Sequence, residues 1–235
     1  MKRRVLLKLS GEQLAGRYEH GIDPELASWL AGEIRAFAAH DTEVIIMIGG
    51  GNFVRGATVA HGGIKRVTGD HMGMLATMIN AIALTDVFEA TGVPTRCLSN
   101  VFAQQVSEPF SHRLAEKHLE NGRVVIVAGG IGRPYFTTDT AAVNLALELG
   151  CQTVYKATKV DGVYDRDPAR HDDATRYERL THAEAVDNPD IRIMDKAAMA
   201  LAMEHGLGIV VFDALAEGNL AKAAAGESVG STIGA

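Results

Sequence analysis

Several short stretches carry residue types suited to holding phosphate. The first is Lys8-Leu9-Ser10-Gly11-Glu12, at the end of the apolar run Val5–Leu9. A lysine inside such a run, followed by Ser-Gly, brings an ammonium and free backbone N–H groups together, which suits phosphoryl oxygens. Taken alone, it also fits a lysine snorkelling from an edge strand. The second is Gly49-Gly50-Gly51-Asn52-Phe53-Val54-Arg55-Gly56, after the run Val44–Ile48. Its glycines let the backbone approach a ligand closely, and Arg55 follows within a turn, where it can clamp a phosphate bidentately. The third is Asp70-His71-Met72-Gly73-Met74-Leu75-Ala76-Thr77. Asp70 reads as a helix N-cap, and its carboxylate is also placed to face a sugar hydroxyl. His71 reads as structural and the methionines as core. The fourth is Gly129-Gly130-Ile131-Gly132-Arg133-Pro134-Tyr135-Phe136-Thr137-Thr138-Asp139, where threonine hydroxyls and N–H groups at a helix start make an anion site. The fifth runs from Lys156 through Thr158, Lys159, Asp161, Tyr164 and Asp167 to Pro168; a base or ribose can lie against Tyr164 and Asp167.

The elements that must position these groups are legible around them. Val5–Leu9, Val44–Ile48, Thr95–Leu98, Val124–Ala128, Thr153–Ala157 and Ile209–Phe212 are apolar, largely β-branched and nearly continuous, the pattern of strands buried on both faces. Between them lie helical patterns. Asp23-Pro24 supplies an N-cap and a proline at the first helical position, and Leu26, Trp29, Leu30, Ile34 and Phe37 follow at helical spacing. A second helix opens at Asp70 with Met72, Leu75, Ala76, Ile79 and Ala83 inward; further helices are expected over 108–120, 139–149, 194–204 and 218–225. Strands alternating with helices predict an α/β fold, a three-layer αβα sandwich around a mainly parallel sheet. Ligands of such sheets bind outside the carboxyl ends of the strands, where the glycine clusters Gly49-Gly50-Gly51 and Gly129-Gly130 fall; Gly62-Gly63 is a third cluster. Residues 159–193 are less regular and read as a small lobe beside the C-terminal half.

Composition narrows the function. Hydrophobic residues are 47% and charged residues 22% of 235, which is globular rather than disordered. Aromatics are 6%, too few for a stacking surface for single strands. Net charge is −6, and the first eighty residues carry 9 basic against 8 acidic side chains, so no basic patch for nucleic acid or an anionic membrane is expected. Cys97 and Cys151 have no CxxC partner, which disfavours a disulfide scaffold or structural zinc and suits a cytoplasmic protein. The N-terminal apolar run stops at Lys8, too short for a secretory signal. No uninterrupted run reaches the roughly 18 apolar residues of a bilayer span.

Familiar nucleotide motifs are missing. There is no Gly-Lys dipeptide for a P-loop, the GxGxxG pattern fails at Val54, and the HRD and DFG elements of protein kinases do not occur. The five stretches, in this order, instead resemble the bacterial uridylate kinases, a branch of the amino acid kinase family. The resemblance covers essentially the whole chain, from Lys8-Leu9-Ser10-Gly11-Glu12 through GGGNxxRG, DHMGMLAT and KATKVDGVYDxDP to Met194-Asp195 and Gly218-Asn219.

That resemblance implies transfer of the ATP γ-phosphoryl group to UMP, giving ADP and UDP in pyrimidine nucleotide biosynthesis. Another small-molecule kinase of the same fold, acting on carbamate, glutamate or aspartate, is the alternative. By matching positions, Lys8, Leu9, Ser10, Gly11, Gly51, Arg55, Thr158, Tyr164 and Asp167 are expected to hold ATP. Gly50, Asp70, Ile131, Gly132, Arg133, Pro134, Tyr135, Phe136, Thr137 and Thr138 are expected to hold UMP. The acceptor part is expected over about 1–150 and the ATP part over about 151–235 of one domain. The resemblance also implies a homohexamer, GTP and UTP as effectors, and a GTP-linked segment at Gly16–Gly21. Mg²⁺ is expected with ATP, held by phosphates and water. UMP needs no catalytic base, because its phosphate, with a second pKa near ~6, is already mostly dianionic. Lys8 and Arg55 are expected at the transferring group, joined by Lys156 or Lys159, with Asp139 orienting a lysine. Three positions depart from the family pattern: Arg133 stands where Asn is common, Asn144 where Arg is common, and Gly230-Ser231-Thr232 where Gly-Thr is usual.

Overall fold

The computed structural model describes residues 2–39, 41–55, 63–188, 191 and 193–234. Gly56 and Gly62 therefore lie outside the described residues. The strands are β1 (Arg3–Leu9), β2 (Thr42–Ile48), β3 (Thr95–Ser99), β4 (Glu108–Pro109), β5 (Val124–Ala128), β6 (Thr153–Thr158), β7 (Val163–Tyr164), β8 (Arg176–Tyr177), β9 (Arg179–Leu180), β10 (Gly208–Asp213) and β11 (Ser231–Ile233). The helices are α1 (Gly11–Leu14), α2 (Pro24–Ala38), α3 (Arg66–Ala90), α4 (His112–Glu120), α5 (Thr138–Glu148), α6 (His182–Asp187), α7 (Lys196–His205) and α8 (Asn219–Ala225). Nine strands form one sheet in the order β4-β3-β5-β2-β1-β6-β10-β11-β9. Every pair in it is parallel except β10 with β11.

Two apolar layers sandwich this sheet, as the continuous apolar strands require. Val5, Leu7, Leu9, Val44, Ile46 and Ile48 face α2, α3 and α8, packing on Ile34, Phe37, Leu84, Phe88 and Leu220. Leu6, Ile45, Met47, Val125 and Val127 face α4, α5 and α7, packing on Leu119, Leu145 and Met199. Each fully buried Leu, Ile or Phe contributes about 1.5–3 kcal/mol of burial. The alternation also fixes the first site residue. Lys8 follows Leu6 onto the α5 face, and Lys156, two residues after Val154, shares that face. The register pairs Lys8 with Lys156 on adjacent strands.

The structure corrects several expectations. α3 opens at Arg66 with Lys65 at its N-cap, so Asp70 lies one turn inside the helix rather than capping it. Ala76 is buried as expected, but the other inward side chains are Met74, Met78, Ala81, Leu84 and Phe88, while Leu75 and Ile79 are about half exposed, at 51% and 47%. Because the helix is apolar around most of its girth, periodicity does not set its phase. α3 also has the length and mean hydropathy, 1.3 over 18 residues, of a bilayer-crossing helix, which a search for uninterrupted runs passes over; 44% of that window is buried inside the molecule. The helix expected from Glu108 is a short edge strand followed by α4, capped by Ser111 through Leu114 N–H. The helix expected from Met194 starts at Lys196, capped by Asp195 through Ala198 N–H. In the 159–193 stretch, β7 and β8 form a separate hairpin, whereas β9 joins the main sheet beside β11.

Candidate active site

A cleft of about 510 Å³ opens at the carboxyl ends of β1, β2 and β5. The end of β1 and the segments after these strands line it with Lys8, Ser10, Gly11, Gly50, Gly51 and Arg55, and with Ile131, Arg133, Phe136 and Thr137, joined by Thr138 and Asp139 from the start of α5. α3 supplies Asp70 from its side. A second cleft of about 310 Å³ is lined by Thr158, Tyr164 and Asp167. The residues that the resemblance assigns to ATP are thus divided between the two. Leu9, Gly132, Pro134 and Tyr135 line neither. The Leu9 side chain is in the core, and its carbonyl accepts Gly49 N–H at 3.0 Å.

The electrostatic centre lies where the two clefts approach. Lys8 Nζ is 2.8 Å from Asp139 Oδ1, and Lys156 Nζ is 2.7 Å from Asp139 Oδ2. Lys156 also donates to the carbonyl of Ile193, which lines the second cleft. Strand pairing forces the two ammonium groups together, and the carboxylate in the first turn of α5 offsets their repulsion. Burial works to raise the Asp139 carboxyl, but the two ammonium groups outweigh it and hold the group below the usual carboxylate range. Burial drives Lys156 below its ordinary value, although Asp139 opposes this. Sequence left the choice between Lys156 and Lys159 open; Lys156 meets Asp139, while Lys159 is exposed.

The fourth stretch is a built loop. Gly129, at φ 80°, sits where a Cβ would come within 2.9 Å of Val101 N, so the close turn requires glycine. Thr77 Oγ1 on α3 accepts Gly129 N–H at 2.7 Å. Asn100 Nδ2 donates to Gly130 O at 2.7 Å. Thr137 caps α5 by accepting Asp139 N–H at 3.0 Å, and its hydroxyl donates to Asp195. Thr140 Oγ1 donates to Asp195 Oδ1 at 2.8 Å. Asp195 thereby ties the N-terminus of α7 to this loop. Burial would raise its carboxyl, but the bonds from Thr137, Ala198 N–H and Thr140 leave it below the usual range.

Each cleft carboxylate has a cationic partner. Arg55 pairs with Glu12. Arg66 Nε donates to Asp70 Oδ1 and Oδ2 at 2.8 and 3.0 Å, and its guanidinium lies over the Tyr135 ring at 5.4 Å. Tyr135, a non-glycine residue at φ 69°, donates its N–H to Asp70 Oδ2 at 2.9 Å. Among the described residues Arg133 pairs with no carboxylate. In the second cleft, Tyr164 donates to Asp161 Oδ1 at 2.6 Å. The departure at Ser231 is structural: its buried Oγ accepts Val163 N–H at 2.8 Å and donates to Tyr177 O, pinning the β7–β8 hairpin. Asn144 is exposed on α5. Among the described residues no cluster of three or more His, Cys, Asp or Glu side chains could hold a metal ion.

Sequence reasoning passed over Arg66 and Asn80, and quoted Asn52, Thr77 and Asp195 within motifs without giving them a role. Arg66 had a signal, four residues before Asp70. Asn80 had another, an amide amid apolar residues on α3.

Comparison with known proteins agrees with this architecture. The profile of the Amino acid kinase family matches residues 3–213. The chain is similar to a UMP kinase from Bacillus anthracis, at 35% identity over 99% of this chain and 96% of that one, with a TM-score of 0.94. It is similar to a UMP kinase from Ureaplasma parvum, at 30% identity over all of both chains and a TM-score of 0.93. A uridylate kinase from Archaeoglobus fulgidus is 27% identical over 99% of this chain and 100% of that one, with a TM-score of 0.77.

Proposed function

We propose that the chain, which belongs to the amino acid kinase family, transfers the γ-phosphoryl group of ATP to UMP, giving ADP and UDP in pyrimidine nucleotide biosynthesis. The observation that carries the reading is the buried Lys8–Asp139–Lys156 group between two clefts, one ending in the glycine loops and the threonine loop. Two solved structures that agree with the chain over nearly the whole of both lengths are UMP kinases.

In this reading UMP lies in the larger cleft against Gly50, Asp70 and the stretch 131–138, of which Ile131, Arg133, Phe136, Thr137 and Thr138 line the cleft. ATP lies with its nucleoside against Thr158, Tyr164 and Asp167 and its phosphates along Ser10, Gly11, Gly51 and Lys8. The acceptor part is then roughly residues 1–150 and the ATP part roughly residues 151–235. An oxygen of the UMP phosphate dianion attacks the γ-phosphorus, and the bond from that phosphorus to the bridging oxygen of ADP breaks. No proton has to move, so no base is required. Asp139, held below the usual carboxylate range between two ammonium groups, is suited to orienting lysines and not to accepting a proton. Lys8, Lys156 and Arg55, released from Glu12, stabilise the charge spread over the transferring oxygens. Mg²⁺ fits the donor set as an ion carried by the nucleotide: Asp139 is already paired with two ammonium groups, so phosphate oxygens and water would hold the ion. When bound, it neutralises phosphate charge.

The same reading makes the protein a cytoplasmic homo-oligomer, a hexamer by resemblance, with GTP and UTP as candidate effectors. The exposed Leu75, Ile79 and Ile82 on α3 supply an apolar face for self-association. The decisive experiment is ADP release from ATP with UMP, CMP, carbamate, glutamate and aspartate offered separately. UMP should be the preferred acceptor by a wide margin; preference for any of the last three would overturn the assignment.

A further inference from the structure

We infer that Asn80 is a positioning residue for phosphoryl transfer, acting through the Gly49–Gly50 peptide. The inference rests on the phosphate-binding role proposed above for the glycine loop. Asn80 is fully buried on α3, and Asn52 is 3% exposed beneath the loop. Their amides form a reciprocal pair: Asn52 Nδ2 donates to Asn80 Oδ1 at 2.8 Å, and Asn80 Nδ2 donates to Asn52 Oδ1 at 2.8 Å. The remaining hydrogens go outward, from Asn80 to Gly49 O at 2.7 Å and from Asn52 to Gly21 O at 2.6 Å. Gly21 N–H returns to Asn52 O at 3.2 Å. Both side-chain NH₂ groups are fully used. The orientation of each amide is fixed too, because flipping either would set its oxygen against a backbone carbonyl.

The consequence lies in the trans peptide. Its C=O and N–H point in opposite directions, and the chain has no cis peptide bond. With Gly49 O drawn to the Asn80 amide, Gly50 N–H is turned away from that amide, and Gly50 itself lines the cleft. Among the described residues Gly50 N–H has no partner within the protein, so it is available to an anion. Glycines on both sides make rotation of this peptide sterically easy. A rotated peptide would present a carbonyl dipole to the phosphate, reversing attraction into repulsion. The loop cannot be stiffened by a side chain instead, since a Cβ on Gly50 would lie 2.7 Å from Ala76 Cβ. Asn80 therefore does what bulk cannot do here.

The test is Asn80→Asp, which keeps the shape and the acceptor for Asn52 but removes the donors to Gly49 O and to Asn52 Oδ1. Turnover of ATP with UMP should fall by about tenfold or more, with a rise in the KM for UMP, well below the thermal midpoint, because one preorganised donor is lost. The inference is overturned if kcat and the KM for UMP stay within about twofold of wild type while the midpoint falls, since the amide pair would then serve stability alone. Should Asn80→Asp fail to fold, Asn80→Ser is read for the same constants with the same two outcomes. If wild type itself does not phosphorylate UMP, the proposed function fails and not the amide pair. The pair is then decided by amide hydrogen exchange of the peptide spanning 46–54: faster exchange in the variant supports it, and unchanged exchange overturns it.

Discussion

Asp139→Asn tests the centre of the site. The substitution is nearly isosteric and removes one negative charge between Lys8 and Lys156, which lie 2.8 and 2.7 Å from its oxygens. The carboxylate and both lysine side chains are at most 15% exposed. An asparagine amide can offer its oxygen to one lysine but must turn its NH₂ toward the other, leaving a buried ammonium facing a donor. Breaking a buried pair by removing one partner costs about 3–5 kcal/mol. At about 2–4 °C per kcal/mol for a chain of this size, the thermal midpoint should fall by roughly 6–20 °C. Turnover should fall by about 10²–10³, because the ammonium groups no longer hold their places around the transferring group. The pH dependence has a definite sign. Asp139 is depressed in the folded protein, so it contributes stability above its unfolded value, near ~3.9, and that contribution is lost as pH falls through the folded value. Wild type should therefore lose stability on acidification below about pH 4, and Asp139→Asn should show a shallower acid slope. Thermal denaturation across pH and coupled ADP release measure both effects. A variant with turnover within about threefold of wild type and an unmoved midpoint would refute the reasoning.

Arg55→Ala should lower turnover about a hundredfold, the loss of one charge-assisted clamp, while leaving the fold intact; steady-state kinetics within twofold of wild type would remove Arg55 from the mechanism. Asp70→Asn should raise the KM for UMP far more than that for ATP, because Asp70 lines the cleft proposed for the acceptor and holds the Tyr135 N–H of the loop beside it; the reverse pattern would mean the two halves of the site are exchanged. Leu75→Glu combined with Ile79→Glu should reduce the sedimenting species in favour of a 25.0 kDa chain, and an unchanged distribution would place the self-association face elsewhere.

The parts of this protein legible in its sequence are those where backbone chemistry dictates residue type. Glycines at strand ends, a lysine within an apolar strand and a Thr-Thr-Asp helix start could each be read one at a time, and the structure gathers most of them into one cleft. Leu9 shows the limit of such reading: its position belongs to the loop, but the strand alternation that sends Lys8 to the α5 face sends Leu9 into the opposite core. Helix starts failed where the capping residue lies inside the stretch expected to be helical, as with Ser111 within 108–120 and Asp195 within 194–204.

What stayed hidden depends on partners distant in the chain. The identity of Asn80 says only that an amide interrupts an apolar helix. Its meaning comes from Asn52, 28 residues away, and Gly49, 31 residues away. The phase of α3 is hidden for a related reason. Its buried face and its exposed Leu75–Ile79 face are similarly apolar, so local periodicity cannot say which one meets the sheet. A helix needing one buried stripe would have polar residues opposite; α3 carries apolar residues on both, which is the physical signature of an element with two surfaces to bury. The same helix also supplies Arg66, Asp70, Thr77 and Asn80 to the cleft and its loops. Were the chain to associate through this outer face, a shift of α3 would be felt at the glycine loop through Asn80 and at the threonine loop through Thr77 together.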